Sequence, residues 1–245
     1  MEHDDGQVGE LLTRREALAL IGVSGMAILT GCSSAEGGSA SALRAMPACV
    51  VRPQQTEGPY FVDQMLNRTD IRSDPVSGLV QPGVPLQLGI NVSRVSGGAC
   101  APLAGAQVDL WQCDASGVYS GVTDPGFNTV GQKFLRGYQL TDDAGTAKFV
   151  TVYPGWYPGR TVHIHFKIRT APQAERGYEF TSQLYFDDAL TDVVHARAPY
   201  DGKGQRTVRN EGDRIFRNGG RQLLLDPKAS GDAYAATFGI GLQMT

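Results

Sequence analysis

Short runs in which apolar and polar residues alternate, separated by glycine-rich turns, place the strongest constraint on how this chain folds. Val84–Val92 is typical, because alternation with a period of two residues predicts a strand with one buried face. Similar runs occur at Gln107–Gln112, Gly137–Leu140, Ala147–Tyr153, Val162–Ile168, Ser182–Phe186 and Ala235–Gln243. Turn clusters such as Ser96-Gly97-Gly98 separate them. The pattern predicts an all-β domain built as an antiparallel sandwich.

Composition supports this fold and excludes several classes of protein. The 31 glycines and 13 prolines among 245 residues are too many turn formers for a helical bundle, and 41% hydrophobic residues are too many for a disordered chain. We expect few short helices, of which Asp187–His195 is the best candidate. The formal net charge of −3 gives no basic surface, so we do not expect nucleic acid as a partner.

The first residues indicate a targeting segment. Arg14 and Arg15 precede an apolar stretch over Ala17–Thr30, a pattern typical of a twin-arginine export signal. The alternative is a cytosolic helix that carries two arginines. The stretch is too short for a membrane-spanning helix. We therefore expect an exported protein with a signal over residues 1–31.

A cysteine directly follows this segment. Leu29-Thr30-Gly31-Cys32 resembles the lipobox of bacterial lipoproteins, in which Cys32 would carry the lipid; otherwise Cys32 is an ordinary thiol of the signal region. The small polar residues Ser33–Ala42 predict a flexible tether, placed over 32–46 and followed by one folded domain over 47–245. The expected location is extracytoplasmic, with the lipid on Cys32 as the membrane anchor, or else secreted.

Export would place the remaining cysteines in an oxidising compartment. Cys49, Cys100 and Cys113 allow three pairs and always leave one thiol over. We expect a bridge between Cys49 and Cys100, because both lie beside predicted loops. Cys113, next to a predicted strand, is expected to be a buried thiol. None of the three has the C-x-x-C spacing of a zinc site.

The run Val162–Ile168 carries the clearest indication of chemistry. Alternate side chains of a strand share a face, so the four apolar residues of this run face the core and His163 and His165 lie together on the other side. Two imidazoles placed in this way can bind one metal ion. The alternative is a pair of solvated histidines on an exposed face.

Nearby tyrosines indicate which metal this would be. Tyr157 lies six residues before His163, and Tyr119 follows a predicted turn. Phenolate oxygen is a hard, strongly donating ligand, so a set of tyrosines and histidines favours trivalent iron over zinc. Tyr153 competes with Tyr157 for the role of ligand. A zinc or copper site on the two histidines would need a third nitrogen or sulfur ligand, which the neighbouring sequence does not supply.

Five segments that contain these residues resemble, in the same order, the intradiol ring-cleavage dioxygenases, which are the catechol and protocatechuate 3,4-dioxygenase superfamily. The segments are Thr56–Tyr60, Val108–Ser120, Leu135–Gly145, Val152–Phe166 and Thr181–Phe186. The resemblance implies a β-sandwich with one Fe(III) as cofactor. It also implies an enzyme that uses O₂ to cleave the ring of catechols between the two hydroxyls, giving cis,cis-muconates.

The resemblance further implies a role for individual residues. The metal ligands are Tyr119, Tyr157, His163 and His165, with the P-G-x-Y pattern favouring Tyr157 over Tyr153. Arg160 matches an active-site arginine that also contacts substrate, and Gln183 matches a glutamine that orients an iron-bound hydroxide or a histidine. Gly58, Pro59 and Tyr60 match a segment at the substrate mouth.

Two departures are relevant. Only a short stretch separates the predicted tether from Thr56, without room for the N-terminal helical linker through which catechol and hydroxyquinol dioxygenases dimerise. The chain is therefore similar to the secreted members that consist of the core alone, and homodimer formation is left open. The sandwich also resembles transthyretin-like modules, so a non-catalytic binding module on a lipid tether is the alternative if the four ligands do not converge.

Overall fold

The computed structural model describes residues 50–170 and 177–244. The expected signal over 1–31 and the tether over 32–46, including Arg14, Arg15 and Cys32, lie outside these residues and stay predictions. Within the two described ranges, no helix is long and apolar enough to cross a membrane.

Strands make up most of the regular secondary structure of the described residues. In chain order they are β1 (Pro85–Ser96), β2 (Ala99–Pro102), β3 (Gln107–Trp111), β4 (Thr123–Asp124), β5 (Phe127–Asn128), β6 (Arg136–Leu140), β7 (Thr146–Val152), β8 (His163–Arg169), β9 (Glu179–Tyr185), β10 (Lys228–Ser230) and β11 (Ala233–Gln243). The α-helices are α1 (Asp188–His195) and α2 (Arg214–Arg217), and three short 3₁₀ helices occupy Asp201–Lys203, Asn210–Gly212 and Gly220–Leu223. The all-β fold with few short helices is thus confirmed.

Two sheets pack around one apolar core. The first has the order β10-β11-β1-β2, with β7 also paired to β1, and the second has the order β6-β3-β8-β9. The inward side chains of both sheets belong to a single buried cluster. Phe166 of β8 meets Phe238 of β11 at 5.9 Å between ring centroids, so the sheets are in direct contact.

One strand pair departs from the antiparallel expectation. β1 and β11 run parallel, in register from Leu86 opposite Tyr234 to Val95 opposite Gln243. Parallel neighbours need a long connection, and strands β2–β10 all lie between these two strands in the chain. Alternation within each strand predicts its buried face but not the direction of its partner, which is why the sequence did not reveal this pair.

All seven predicted strands and the predicted helix are present. Asp187 caps α1, because its carboxylate accepts hydrogen bonds from the backbone N–H groups of Ala189 and Leu190. The strands that the sequence analysis missed (β2, β4, β5 and β10) have two to four residues each. Segments this short do not establish an alternating pattern.

The cysteines agree in part with expectation. Cys113 is a buried free thiol, as expected. Burial raises the pKa of this thiol, which makes it a poor nucleophile. Cys100 is disulfide-bonded. Its expected partner, Cys49, lies outside the described residues, so that pairing stays a prediction.

Candidate metal centre

Strand β8 brings its two histidines to a buried site. Ile164 and Phe166 belong to the core, whereas His163 and His165 point to the opposite face of the sheet. There they are only 2% and 1% exposed, so the alternative of two solvated histidines is wrong. Gly58 lies against His165. Its φ is +72°, and a Cβ at this position would come within 3.3 Å of Cε1 of His165. Glycine is thus required where the backbone approaches the imidazole so closely.

Four donor groups converge on this face. Nε2 of His163 lies 3.0 Å from Nε2 of His165 and 3.2 Å from the hydroxyl of Tyr157. The hydroxyl of Tyr119 is 3.5 Å from the same nitrogen. The structure therefore brings together all four side chains that the sequence analysis assigned as metal ligands.

This arrangement fits a metal ion. Nδ1 of His163 donates a hydrogen bond to the carbonyl of Thr161 at 2.7 Å, so Nε2 carries a lone pair that can accept only one hydrogen bond. That atom nevertheless has the His165 nitrogen and two phenol oxygens around it. A cation would satisfy all four donors together. Metal–imidazole bonds are about 2.1 Å in zinc sites, so nitrogens on adjacent coordination positions lie about 3 Å apart, as the two Nε2 atoms do.

The electrostatics of the four groups agree with this reading. Burial, together with the positive charge of Arg160, lowers the pKa of His163 to about 3. Burial and the neighbouring His163 also lower the pKa of His165. Both imidazoles are therefore neutral, which is the form that binds metal. Burial raises the pKa of Tyr119 and of Tyr157, so these hydroxyls keep their protons until a cation replaces them.

Aromatic packing holds the donors in place. Trp111 of β3 stacks on His165, with ring centroids 4.9 Å apart and an angle of 8° between planes. The ring of Tyr60 stacks on Tyr119 at 4.5 Å, and its hydroxyl donates to Asp124 at 2.5 Å. Rigid contacts of this kind fix ligand orientation.

Arg160 lies beside the centre and is fixed on two sides. Its Nη1 is 3.4 Å from Nε2 of His163, its Nε donates to Asp213 at 2.8 Å, and its Nη2 donates to Oε1 of Gln183 at 2.5 Å. Asp213 is only 1% exposed and also accepts from the backbone N–H of Thr161. A partly buried cation held by a buried carboxylate keeps both its charge and its direction.

Gln183 lies beside the centre and holds Arg160. It stands opposite His165 in the register of β8 and β9, yet its amide contacts Arg160 and the carbonyl of Thr56. The structure thus shows it positioning the arginine. Whether it also orients a histidine or an iron-bound hydroxide stays a prediction.

Of the remaining predicted residues, some lie at the centre and others lie away from it. Gly58 and Tyr60 line the centre, whereas Pro59 is exposed in the same turn. Tyr153, the rival ligand, is a core residue: its hydroxyl bonds to Thr191 at 2.8 Å, and its ring packs on Phe186.

Sequence reasoning missed three supporting residues: Trp111, Asp124 and Asp213. Trp111 lies opposite His165 in the pairing of β3 with β8, so knowledge of the strand order would have revealed it. No local pattern connects Asp213 with Arg160, or Asp124 with Tyr60.

A cavity of about 520 Å³ opens beside the centre. Tyr60, Tyr157, Phe127 and Lys203 are among the residues that line it. This volume lies within the range of small-molecule sites.

The donor set does not resemble a zinc or copper site. Across residues 50–170 and 177–244, no three side chains among His, Cys, Asp and Glu cluster so as to hold a metal ion. The transthyretin-like alternative required that the tyrosines and histidines stay apart, and they converge instead.

Comparisons with known proteins agree with this site. Residues 56–209 match the family model described as Dioxygenase. The protocatechuate 3,4-dioxygenase beta chain of Burkholderia cepacia is 33% identical over 179 residues, which cover 69% of this chain and 71% of that protein. The catechol 1,2-dioxygenase of Candida albicans is 37% identical over 144 residues, which cover 50% of this chain and 41% of that protein. The chain thus spans about two fifths of the length of the Candida relative.

Solved structures give the same result. An intradiol ring-cleavage dioxygenase from Tetranychus urticae superposes with a TM-score of 0.69 at 31% identity. The match covers 80% of this chain and 95% of that chain. The structural similarity therefore includes nearly all of that solved chain.

Proposed function

Since this chain belongs to the intradiol dioxygenase family, we propose that it is an Fe(III)-dependent enzyme that cleaves the ring of catechols between the two hydroxyl-bearing carbons. One O₂ is consumed per ring, and both of its atoms enter the cis,cis-muconate product. The observation that carries the proposal is the convergence of Tyr119, Tyr157, His163 and His165 on one buried point beside a cavity.

The chain's own residues define how a catechol would be handled. When bound, Fe(III) supplies a Lewis acid that takes up the two catechol oxygens and makes the ring reactive toward O₂. The Tyr157 hydroxyl, at the edge of the cavity, is placed to accept a proton from an entering catechol once it is a phenolate. Arg160 carries a permanent positive charge that stabilises the anionic ring. Gly58 lies against His165 and the ring of Tyr60 lies against Tyr119, so both residues help to exclude water from the donors.

The proposal is tested on purified, iron-loaded protein. We expect about one iron per chain, a red-brown colour from phenolate ligands, and uptake of O₂ with catechol, 4-methylcatechol or protocatechuate. With labelled dioxygen, both labelled atoms should appear in the muconate. A yellow semialdehyde product, stoichiometric zinc, or no oxygen uptake with any catechol would refute it.

The size of the cavity leads to a prediction about substrate range. It exceeds what a bare catechol ring fills, and Phe127 of the β4–β5 hairpin forms part of its wall. Phe127→Ala should raise kcat/KM for 4-tert-butylcatechol relative to catechol by about tenfold, because a pocket discriminates by roughly that factor per one or two carbons. Val130→Ala, an exposed residue just after the hairpin, is the control and should leave the ratio unchanged. If Phe127→Ala left the ratio of the two kcat/KM values unchanged, the 4-substituent of the catechol would not lie against Phe127.

We also propose that the protein is exported folded and retained by a lipid. A site assembled from β8 and distant loops exists only after folding, so export of a folded chain would protect iron loading from competing metals outside. Cell fractionation of an Arg14→Lys/Arg15→Lys variant should show the protein retained in the cytoplasm. Cys32→Ala should release it from the membrane fraction. Normal export of the first variant, or normal membrane retention of the second, would contradict the corresponding half of the proposal.

A further inference from the structure

Three buried polar atoms behind the metal centre have no hydrogen-bond partner within the described part of the chain. They are Oε1 of Gln64, Nε1 of Trp111 and Nη1 of Arg136. All three residues line the same small cavity, which has a volume of about 20 Å³ and lies between residues 61–66 and strands β3 and β6. Unpaired buried polar atoms are rare in folded proteins, and three around one cavity require a common cause.

An unpaired nitrogen on Arg136 is especially costly in free energy, because this side chain is charged and buried. Its side chain is buried, with the residue only 3% exposed, and Nε and Nη2 donate to the carbonyl of Ser120 at 2.9 and 2.6 Å. No carboxylate in residues 50–170 or 177–244 forms an ion pair with it. Burial lowers the pKa of Arg136 to about 10, so the guanidinium remains charged near neutral pH. Its third nitrogen still needs an acceptor.

We propose that this cavity binds one ordered water molecule, which accepts hydrogen bonds from Trp111 Nε1 and Arg136 Nη1 and donates one to Gln64 Oε1. A water needs roughly 10–15 Å³ of space and typically has about three polar partners. The cavity supplies both requirements.

The chemistry of the lining selects water over an ion. A cation would face the guanidinium of Arg136. An anion would face the amide oxygen of Gln64 and the carboxylate of Asp109, which lines the same cavity and pairs with Arg169. Water alone accepts from two donors and donates to an acceptor at the same time.

This water would connect three parts of the metal centre. Gln64 belongs to the segment that also carries Gly58 and Tyr60, and Trp111 stacks on His165. Arg136 holds the carbonyl of Ser120, the residue after Tyr119. The water thus positions the segment from Gly58 to Gln64, His165 and Tyr119 relative to one another. Its presence does not depend on the proposed reaction.

A crystal structure of the purified protein, with a parallel crystal soaked in bromide, tests the proposal. We expect one peak of water density about 2.7–3.2 Å from each of the three atoms, and no anomalous bromide signal there. A bromide peak would overturn the proposal in favour of an anion site. Absence of density, with the three side chains turned to other partners, would overturn it as well.

Two matched variants give a second readout in solution. Trp111→Phe keeps a stacking ring but removes one donor to the water, so Tm should fall and iron should dissociate about tenfold faster, as is typical for loss of an outer-shell contact. Trp156→Phe is the control, because Nε1 of Trp156 is also buried without a partner in the described residues but does not line this cavity. Equal effects of the two substitutions on Tm and on iron release would overturn the proposal.

Discussion

Replacing Tyr157 by phenylalanine is expected to weaken the visible colour strongly, lower the iron content and reduce turnover of catechol by at least about a thousandfold. The substitution removes only the hydroxyl that lies 3.2 Å from Nε2 of His163. The variant thereby loses one anionic ligand and the group that is placed to accept a proton from the substrate. General-base catalysis alone contributes about 10²–10⁴ in rate. Absorption spectra, metal analysis and oxygen uptake measure the three effects.

Tyr153→Phe is the matched control for that experiment. Tyr153 lies four residues away and is also buried, but its hydroxyl bonds to Thr191 in the core. Removing it should cost about 1 kcal/mol of the free energy of unfolding while colour, iron content and turnover stay close to the parent values. The assignment of Tyr157 as a ligand would be wrong if Tyr153→Phe bleached the protein and Tyr157→Phe did not.

Arg160→Met should lower kcat for catechol by about 10²–10³ while most of the iron is retained, because loss of one preorganised charge at a reacting group costs that much. Methionine keeps much of the length of the side chain and removes the guanidinium next to His163. Steady-state oxygen uptake and metal analysis separate the two effects. Parallel loss of iron and activity would show that Arg160 acts on the metal site instead.

Asp213 should act through Arg160. Asp213→Asn removes the negative charge of the carboxylate that accepts a hydrogen bond from Nε of Arg160. Asparagine is also a good N-cap, so it can still cap α2. We expect kcat to fall about 10–100-fold with nearly unchanged iron content. Asp187→Asn makes the same change at the cap of α1, away from Arg160, and should leave kcat unchanged. If both variants behaved alike, Asp213 would be a helix cap only.

The sequence predicted the parts of this centre that local periodicity encodes. Alternation in β8 placed His163 and His165 on one face, and the structure confirms that they share it. The resemblance supplied Tyr119 and Tyr157, which lie in loops where no period exists. Arg160 was predicted as a catalytic group, but its partner Asp213 lies 53 residues further along the chain. Such a contact depends on how the segment after α1 returns to the sheet, which is a tertiary property that local patterns do not record.

The cavity that we assign to water shows the same limit. Gln64 and Arg136 are distant in sequence, and each looks like an ordinary surface residue there. Only the packing of residues 61–66 against β3 and β6 makes both of them line one cavity. The hydrogen-bond partners of buried polar groups can therefore be assigned only when the positions of the strands are known.

The parallel pairing of β1 with β11 has a consequence for how the protein is made. Strand β1 is completed along one edge by β11, so the larger sheet cannot close until β11 has been synthesised. Contacts of such large sequence separation slow folding, and until they form the backbone groups of β1 remain open to other chains. Every strand of the sheet that carries the histidines lies between these two in the sequence. Deletion of residues 234–243 would therefore uncover β1, an inner strand of the first sheet, and promote aggregation of a chain that still contains all four proposed metal ligands.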